Sequence, residues 1–169
     1  NIEPLISHTF SLEDAPKAYD LILARKEPFA GVVIQYDDKK TLNEDITLKQ
    51  LSIDPSDANV GLIGAGNFAQ NMLLPRMKGF CNFVSIATMQ GNESVYVGKK
   101  YGFINTYSDA EKVISNKEVN TLFIVTRHNT HAEFVMKGIN AKKHVFVEKP
   151  LAMNEQELSK IKADYKKVK

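Results

Sequence analysis

Val60-Gly61-Leu62-Ile63-Gly64-Ala65-Gly66-Asn67-Phe68-Ala69 reads as a buried strand running into Gly-x-Gly-x-x-Ala and then a helix. In such a turn the first glycine allows a sharp exit from the strand, the second removes a side chain that would block a pyrophosphate, and the final small residue lets helix and sheet pack closely. Gly64, Gly66 and Ala69 occupy those three places. The amides of Gly66, Asn67 and Phe68 then open the helix without acceptors of their own and carry the positive end of its dipole. They can hold an anion without burying a net charge. Strand, turn and helix in this order predict a dinucleotide-binding turn rather than a glycine turn without a ligand.

Outward from this stretch, short apolar runs alternate with amphipathic ones. Residues 60–63, 83–87, 121–125 and 144–147 are nearly continuous apolar segments, the pattern of parallel strands buried on both faces, and Phe103-Ile104 reads as a further short strand. Helix starts are marked by Ser108-Asp109-Ala110-Glu111 and Asn154-Glu155-Gln156-Glu157, each with an N-cap residue followed three positions later by Glu. The alternation predicts an α/β fold with a doubly wound parallel sheet, a Rossmann fold, over residues 59–169. Residues 1–36 form a different pattern: Pro4-Leu5-Ile6, a helical spacing opened by Ser11 and closed before Pro28, then the strand Gly31-Val32-Val33-Ile34. This β-α-β appendage falls below the roughly 40 residues at which a domain stands alone, so it must dock on something. Residues 37–58 lack a sustained period, carry many charges and contain the breaker Asp54-Pro55-Ser56, which predicts a linker with room for a short strand or turn.

Composition bounds the function. The 169 residues are 43% apolar and 25% charged, and 22 Lys plus Arg against 20 Asp plus Glu leave a net charge of +2, too even for a protein that coats nucleic acid. A single cysteine, Cys81, excludes an intrachain disulfide and a Cys-x-x-Cys site, and fits a reducing cytoplasm. The longest strongly apolar run, residues 122–125, is far short of the roughly 20 needed to span a bilayer, which predicts a soluble protein without membrane partners. The terminal lysines Lys160, Lys162, Lys166, Lys167 and Lys169 read as a solvated helix face. The chain opens at Asn1 without an initiator Met and stops at Lys169 within a helical pattern, so a fragment of a longer polypeptide is expected.

The end of the second strand of a dinucleotide fold, roughly 20 residues past the glycines, usually bears an acid for the adenosine ribose. Here the sequence is Ile86-Ala87-Thr88-Met89-Gln90-Gly91-Asn92, without a carboxylate to repel a 2′-phosphate and without Arg or Lys to attract one. Thr88 therefore predicts NAD or NADP, with a lean toward tolerance of NADP. His128 and His131 lack a third ligand at metal spacing, so no metal is expected. No Gly-x-Ser-x-Gly elbow is present, Cys81 has no His near it in sequence, and Met72, Met77 and Met136 read as core filler.

Two further stretches add specificity: Thr126-Arg127-His128-Asn129-Thr130-His131-Ala132-Glu133 and Val147-Glu148-Lys149-Pro150-Leu151-Ala152. With the glycine turn, they make the chain from about Asn59 to Lys169 resemble the amino-terminal domain of the glucose-fructose oxidoreductase / inositol dehydrogenase (Gfo/Idh/MocA) family, and Glu148-Lys149-Pro150 is the most specific part. The resemblance implies that Lys149 lies near the nicotinamide and the substrate hydroxyl carbon. It implies that Glu148 helps fix the nicotinamide ribose, and that Thr126 and His131 line the same end of the pocket. Cofactor contacts are thus expected from Gly64, Gly66, Asn67, Phe68, Ala69, Thr88, Thr126, Arg127, Glu148 and Lys149, and catalysis from Lys149 and His131. Members of the family usually carry Pro-Asn or a similar pair where this chain has Arg127-His128. Independently of the resemblance, Thr126 and Lys149 fall at carboxyl ends of parallel strands, where ligands bind in open α/β sheets.

The activity implied is reversible hydride transfer between a nicotinamide and the carbinol carbon of a sugar, cyclitol or related polyol. The rival is a regulatory or interaction module that binds the dinucleotide without turnover, and Glu148-Lys149-Pro150 separates the two, because a sensor needs no lysine at the nicotinamide. The resemblance also implies a following α/β domain that supplies most of the substrate pocket and much of an oligomer interface, so the fragment is expected to bind cofactor without turnover. Residues 1–36, with Ile2-x-Pro4-Leu5-Ile6-Ser7-His8-x-Phe10-x-Leu12-Glu13-Asp14-Ala15-x-x-Ala18-Tyr19 and Gly31-Val32-Val33-Ile34, resemble the closing segment of zinc-type medium-chain alcohol dehydrogenases. The zinc-binding parts of such enzymes have no counterpart here, so His8 is not read as a ligand. The juxtaposition implies a fusion oxidoreductase with the alcohol-dehydrogenase-like part first.

Overall fold

The computed structural model describes residues 2–37, 45–50 and 52–168. Asn1, residues 38–44, Leu51 and Lys169 lie outside the described residues, and with them part of the expected linker and the last lysine of the terminal helix face. The chain divides into two units, Asn1–Leu42 and Asn43–Lys169.

In the first unit a 3-10 turn, Glu3–Leu5, leads into strand β1 (Ile6–Ser11), helix α1 (Ala15–Ala24) and strand β2 (Gly31–Gln35), and β2 runs parallel to β1. The strand-helix-strand order is the one expected, but Ser11 does not cap the helix. A helix beginning just after Ser11 would need the amide of residue 16 to donate to Leu12, and residue 16 is proline. Ser11 instead ends β1 and accepts the Asp14 amide at 3.2 Å, and the helix starts one turn later with Pro16 in its first turn, where no donor is wanted. Ala18 is the one buried hydrophobic side chain described in this unit, while Leu5, Tyr19 and Leu23 are exposed.

The second unit holds strand β3 (Asp45–Thr47), strand β4 (Asn59–Ile63), helix α2 (Leu74–Met77), strand β5 (Asn82–Ala87), helix α3 (Gly91–Tyr101) and strand β6 (Asn105–Tyr107). Helix α4 (Ala110–Ser115), strand β7 (Thr121–Ile124), helix α5 (His131–Asn140), strand β8 (His144–Val147) and helix α6 (Glu155–Val168) complete it. The six strands lie in the order β3-β6-β5-β4-β7-β8, with β3 antiparallel and all others parallel. This is the doubly wound sheet read from the sequence. β4 is central and buried at all five positions, and the chain leaves it toward β5 on one side while β7 lies on the other. That reversal of direction opens a crevice at the carboxyl ends of β4 and β7.

Three apolar clusters hold the sheet and its helices together. Val60, Leu62, Leu74, Ile86 and Phe103 form the first, with the Phe83 and Phe103 rings stacked at 4.8 Å. Ile63, Val84, Val113 and Leu122 form the second; Ile124, Ala132, Val135 and Ile161 bind α5 and α6 to the sheet in the third. Each such side chain, fully buried, contributes about 1.5–3 kcal/mol if it is Val, Leu, Ile, Phe or Met. At the amino ends of the strands, Asn59, Asn82 and Asn120 brace one another: the Asn59 amide donates to Asn120 Oδ1 at 2.9 Å, and Asn82 Nδ2 to Asn59 Oδ1 at 2.9 Å. Lys143 Nζ donates to the carbonyls of Asn116 and Val119 at 2.8 and 2.5 Å, and burial pushes its ammonium below the usual lysine range.

Several sequence expectations shift. The strand read at Phe103-Ile104 lies at Asn105–Tyr107, because Gly102 closes α3 in the left-handed region at φ 81 and the two apolar residues drop straight into the core. β8 is not buried on both faces: it is an edge strand whose Val145 and Val147 meet the third cluster, while His144 and Phe146 are exposed. The region read as a linker supplies β3, paired with β6, and its Asp54-Pro55-Ser56 breaker closes a turn in which the Ser56 amide donates to Asp54 Oδ1 at 2.8 Å. α4 is capped by Asp109 rather than Ser108, whereas α6 is preceded by the Asn154 cap expected, Asn154 Oδ1 accepting the Glu157 amide at 2.9 Å. No helix among the described residues is long and apolar enough to cross a membrane.

One polar group in the sheet goes unmatched. Ser85 Oγ, in β5, is fully buried and is the one such side-chain atom among the described residues without a hydrogen-bond partner. Ser85→Ala removes that desolvated hydroxyl, so it should stabilise the chain by about 1 kcal/mol and raise the unfolding midpoint by about 3 °C in a thermal melt.

Candidate functional site

The exit from β4 is fixed by backbone. Gly64 donates its amide to the Ala87 carbonyl at 2.9 Å and adopts φ +89, and a Cβ there would stand 2.7 Å from the Val125 carbonyl oxygen. Only glycine satisfies both demands. A Cβ on Gly66 would meet nothing within 4 Å, so the protein's own packing gives no reason for glycine at that place. The space over Gly66 is what a pyrophosphate approaching the backbone would use, and the residues present fit a dinucleotide on that count.

Gly66, Asn67 and Phe68 are exposed, and residues 67–77 are helical, with Ala69 buried against the sheet as expected. Sequence reasoning missed the form of this helix. Ala69–Leu73 is a π turn, with the Leu74 amide donating to Ala69. Pro75 supplies the reason: it has no amide for the carbonyl one turn back, and its ring crowds that carbonyl, so the helix widens ahead of it. The Tyr101 hydroxyl donates to the Gln70 carbonyl and so supports the widened turn. Pro75 within a helical pattern was the available signal.

Thr88 follows β5, buried, with its hydroxyl donating to the Gln90 carbonyl at 2.6 Å. Thr126 follows β7; the Thr130 hydroxyl lies 2.7 Å from Thr126 Oγ1 and 2.8 Å from the Arg127 carbonyl, closing the 3-10 turn His128–Thr130. Arg127 is exposed, and its side chain is not among the residues lining the cavity described next. Glu148 extends the β8 ladder through its amide to Ile124 at 3.0 Å, and its carboxylate accepts the Lys149 amide at 3.3 Å. Lys149 precedes Pro150 through a cis bond, and its side chain is exposed without a hydrogen-bond or ion-pair partner among the described residues.

These loops enclose a cavity of about 400 Å³ lined by Phe68, Val125, Thr126, His128, His131, Glu148 and Lys149. Phe68, Thr126, His131, Glu148 and Lys149 are thus brought together from three separate stretches, while Thr88 lies at the end of β5 and outside this lining. Phe68 and Val125 give the cavity an apolar wall, and His128, set aside in sequence as a metal ligand, lines it too. His131 is placed differently from the catalytic role expected for it. It is fully buried, with Nδ1 2.8 Å from the Pro150 carbonyl oxygen and Nε2 3.1 Å from that of Thr126, so neither ring nitrogen faces the cavity free of a partner. Cys81 is half-buried outside this cavity, and burial pushes its thiol up, away from the thiolate a nucleophile needs.

Residues 58–169 match the family described as "Oxidoreductase family, NAD-binding Rossmann fold". Among curated relatives, "Oxidoreductase P35" of Formosa agariphila is 32% identical over 104 residues, which cover 60% of this chain and 32% of that protein. "Myo-inositol 2-dehydrogenase" of Thermotoga maritima is 29% identical over 112 residues, covering 64% of this chain and 33% of the relative. The chain therefore spans about a third of the length of these relatives. Among solved structures, levoglucosan dehydrogenase in complex with NADH and L-sorbose is 26% identical at a TM-score of 0.57, covering 65% of this chain and 32% of that one.

The two glycines of the turn should respond very differently to one methyl group. Gly64→Ala forces a strained φ and a clash with Val125, and should cost about 2 kcal/mol or more. Gly66→Ala should change stability by less than about 0.5 kcal/mol, and urea unfolding of both variants gives the comparison.

Proposed function

The chain belongs to the Gfo/Idh/MocA oxidoreductase family with an NAD-binding Rossmann fold, and we propose that it is the cofactor-holding part of an NAD(P)-dependent dehydrogenase of a sugar, cyclitol or related polyol. The observation that carries the proposal is the unpaired side chain of Lys149 on the rim of a cavity that also takes in Phe68 of the glycine turn. A bound nicotinamide dinucleotide supplies the hydride acceptor and donor. The amides of Gly66, Asn67 and Phe68 hold the pyrophosphate, and the Glu148 carboxylate accepts from ribose hydroxyls. Lys149 donates a hydrogen bond to the reacting polyol oxygen and exchanges a proton with it. Phe68 and Val125 exclude water from one side of the cavity. The listening alternative, a module that binds the dinucleotide without turnover, has no use for Lys149 in that position.

The absence of a carboxylate beside Thr88 supports use of NADP as well as NAD. The β-α-β unit of the first residues supports a closing segment like that of medium-chain alcohol dehydrogenases, and hence a fusion of two oxidoreductases. The even charge and lone cysteine support a cytoplasmic protein that binds neither nucleic acid nor membrane; the match to about a third of the relatives' length supports turnover in a longer polypeptide that carries the substrate domain and an oligomer interface.

Gly66→Val should abolish NADH and NADPH binding in calorimetry while leaving the thermal melt of the chain in place, because the branched side chain fills the space over the turn. Equal affinities in mutant and parent would remove the assignment. In the polypeptide that includes the substrate domain, Lys149→Met keeps the aliphatic stem and loses the donors. Its turnover should drop about 100-fold or more at nearly unchanged cofactor affinity. Sustained turnover with a collapsed melt would make Lys149 structural.

A further inference from the structure

The cavity is framed by two loops that leave different strands. Beyond the bond from the Glu148 amide to Ile124, the ladder between β7 and β8 ends: one loop carries Thr126 on to α5, and the other carries Lys149 and Pro150 on to α6. His131, the first residue of α5, reaches both. Its Nδ1 lies 2.8 Å from the Pro150 carbonyl oxygen and its Nε2 3.1 Å from the Thr126 carbonyl oxygen. The ring is fully buried, where a polar group is costly unless it is hydrogen-bonded, and both its partners are main-chain groups of the loops that shape the cavity. An apolar side chain would fill the same volume without linking anything.

Resting on the assignment of this cavity to the nicotinamide end of the cofactor, we propose that His131 is a positioning residue, which ties the Lys149-Pro150 backbone to the start of α5 and so aims Glu148 and Lys149 at the nicotinamide half. The chemistry is that of a donor between two acceptors. A carbonyl can only accept, so a singly protonated ring holds one loop and the doubly protonated ring holds both. The Nδ1–H form holds the loop next to Lys149. His128, whose ring meets that of His131 edge-on at 5.6 Å between centroids, packs beside this link from the 3-10 turn. With both nitrogens directed at backbone, His131 acts through Lys149 and Glu148 and not on the substrate.

The test separates the two halves of the cofactor. The full chain is titrated with NADH and, separately, with ADP, which reaches the glycine turn but lacks the nicotinamide riboside. His131→Leu should lower NADH affinity about tenfold and leave ADP affinity within about twofold of the parent, the scale of one positioning hydrogen bond lost at one end of the ligand. His131→Asn places an amide donor close to the Nδ1 position and should recover most of the NADH affinity; His131→Gln, with its donor nearer the Nε2 position, should recover less. Unchanged NADH affinity in His131→Leu overturns the proposal, and an equal fall for NADH and ADP overturns it too, since that marks a residue that merely supports the fold. If His131→Leu does not fold, the Asn and Gln variants decide, and equal NADH affinities in the two overturn it. A parent chain that binds ADP but gains nothing from the nicotinamide half removes the cavity assignment itself, whereas normal NADH binding by the parent and by every His131 variant removes only the positioning role.

Discussion

Everything at the carboxyl end of the sheet depends on how closely the chain passes itself at Gly64. The carbonyl of Val125 stands where a side chain on residue 64 would begin, and the Ala87 carbonyl takes the amide of the same residue. The turn off β4 is therefore pinned between its two neighbours, β5 and β7. That contact sets the direction of residues 67–77, brings Phe68 to the cavity that Val125 also lines, and gives the cavity its apolar wall. The open space at Gly66, two residues on, has meaning only because Gly64 is held so tightly. A turn with freedom at its base would not present successive amides at a fixed place.

The order of strands and helices was legible because burial leaves a direct trace in composition. The strands β4, β5 and β7 lie inside the sheet and appear as nearly continuous apolar runs. β8 has the same composition but an exposed face, and its sequence alone does not distinguish an edge from a centre. Phe103-Ile104 shows the related ambiguity: two apolar residues after a helix can be a strand or a core plug, and the cap at Gly102 decided it. The delayed start of α1 and the π turn before α2 both follow from a proline, at positions 16 and 75, whose missing amide counts for more than the surrounding helical spacing.

The candidate site was legible where function needs an unusual residue in a fixed local frame. Gly64, Gly66 and the Glu148-Lys149-Pro150 stretch stand out for that reason. His131 was legible as a residue of the site but not in its role, since the carbonyls it meets belong to residues 5 positions before it and 19 after it. No local pattern encodes a side chain that serves distant main chain. The same holds for Asn59, Asn82 and Asn120, whose mutual bracing at the far end of the sheet depends on strand order and not on neighbours in sequence.

Placement of β8 at the sheet edge has a consequence for solubility. Among the described residues this strand pairs with β7 alone, so one side of its backbone offers unpaired donors and acceptors next to the exposed ring of Phe146. Such a margin is a template on which other extended chains can grow. This strand is only four residues long and is bracketed by charge, Lys142 and Lys143 before it and Glu148 and Lys149 after it. Charged flanks of this kind act as gatekeepers, because stacking copies of the strand would bring like charges into register. Lys149 and Glu148 thus stand guard over an aggregation-prone margin at the same time as they line the cavity, and removing the charge of either weakens that guard whether or not a cofactor is present.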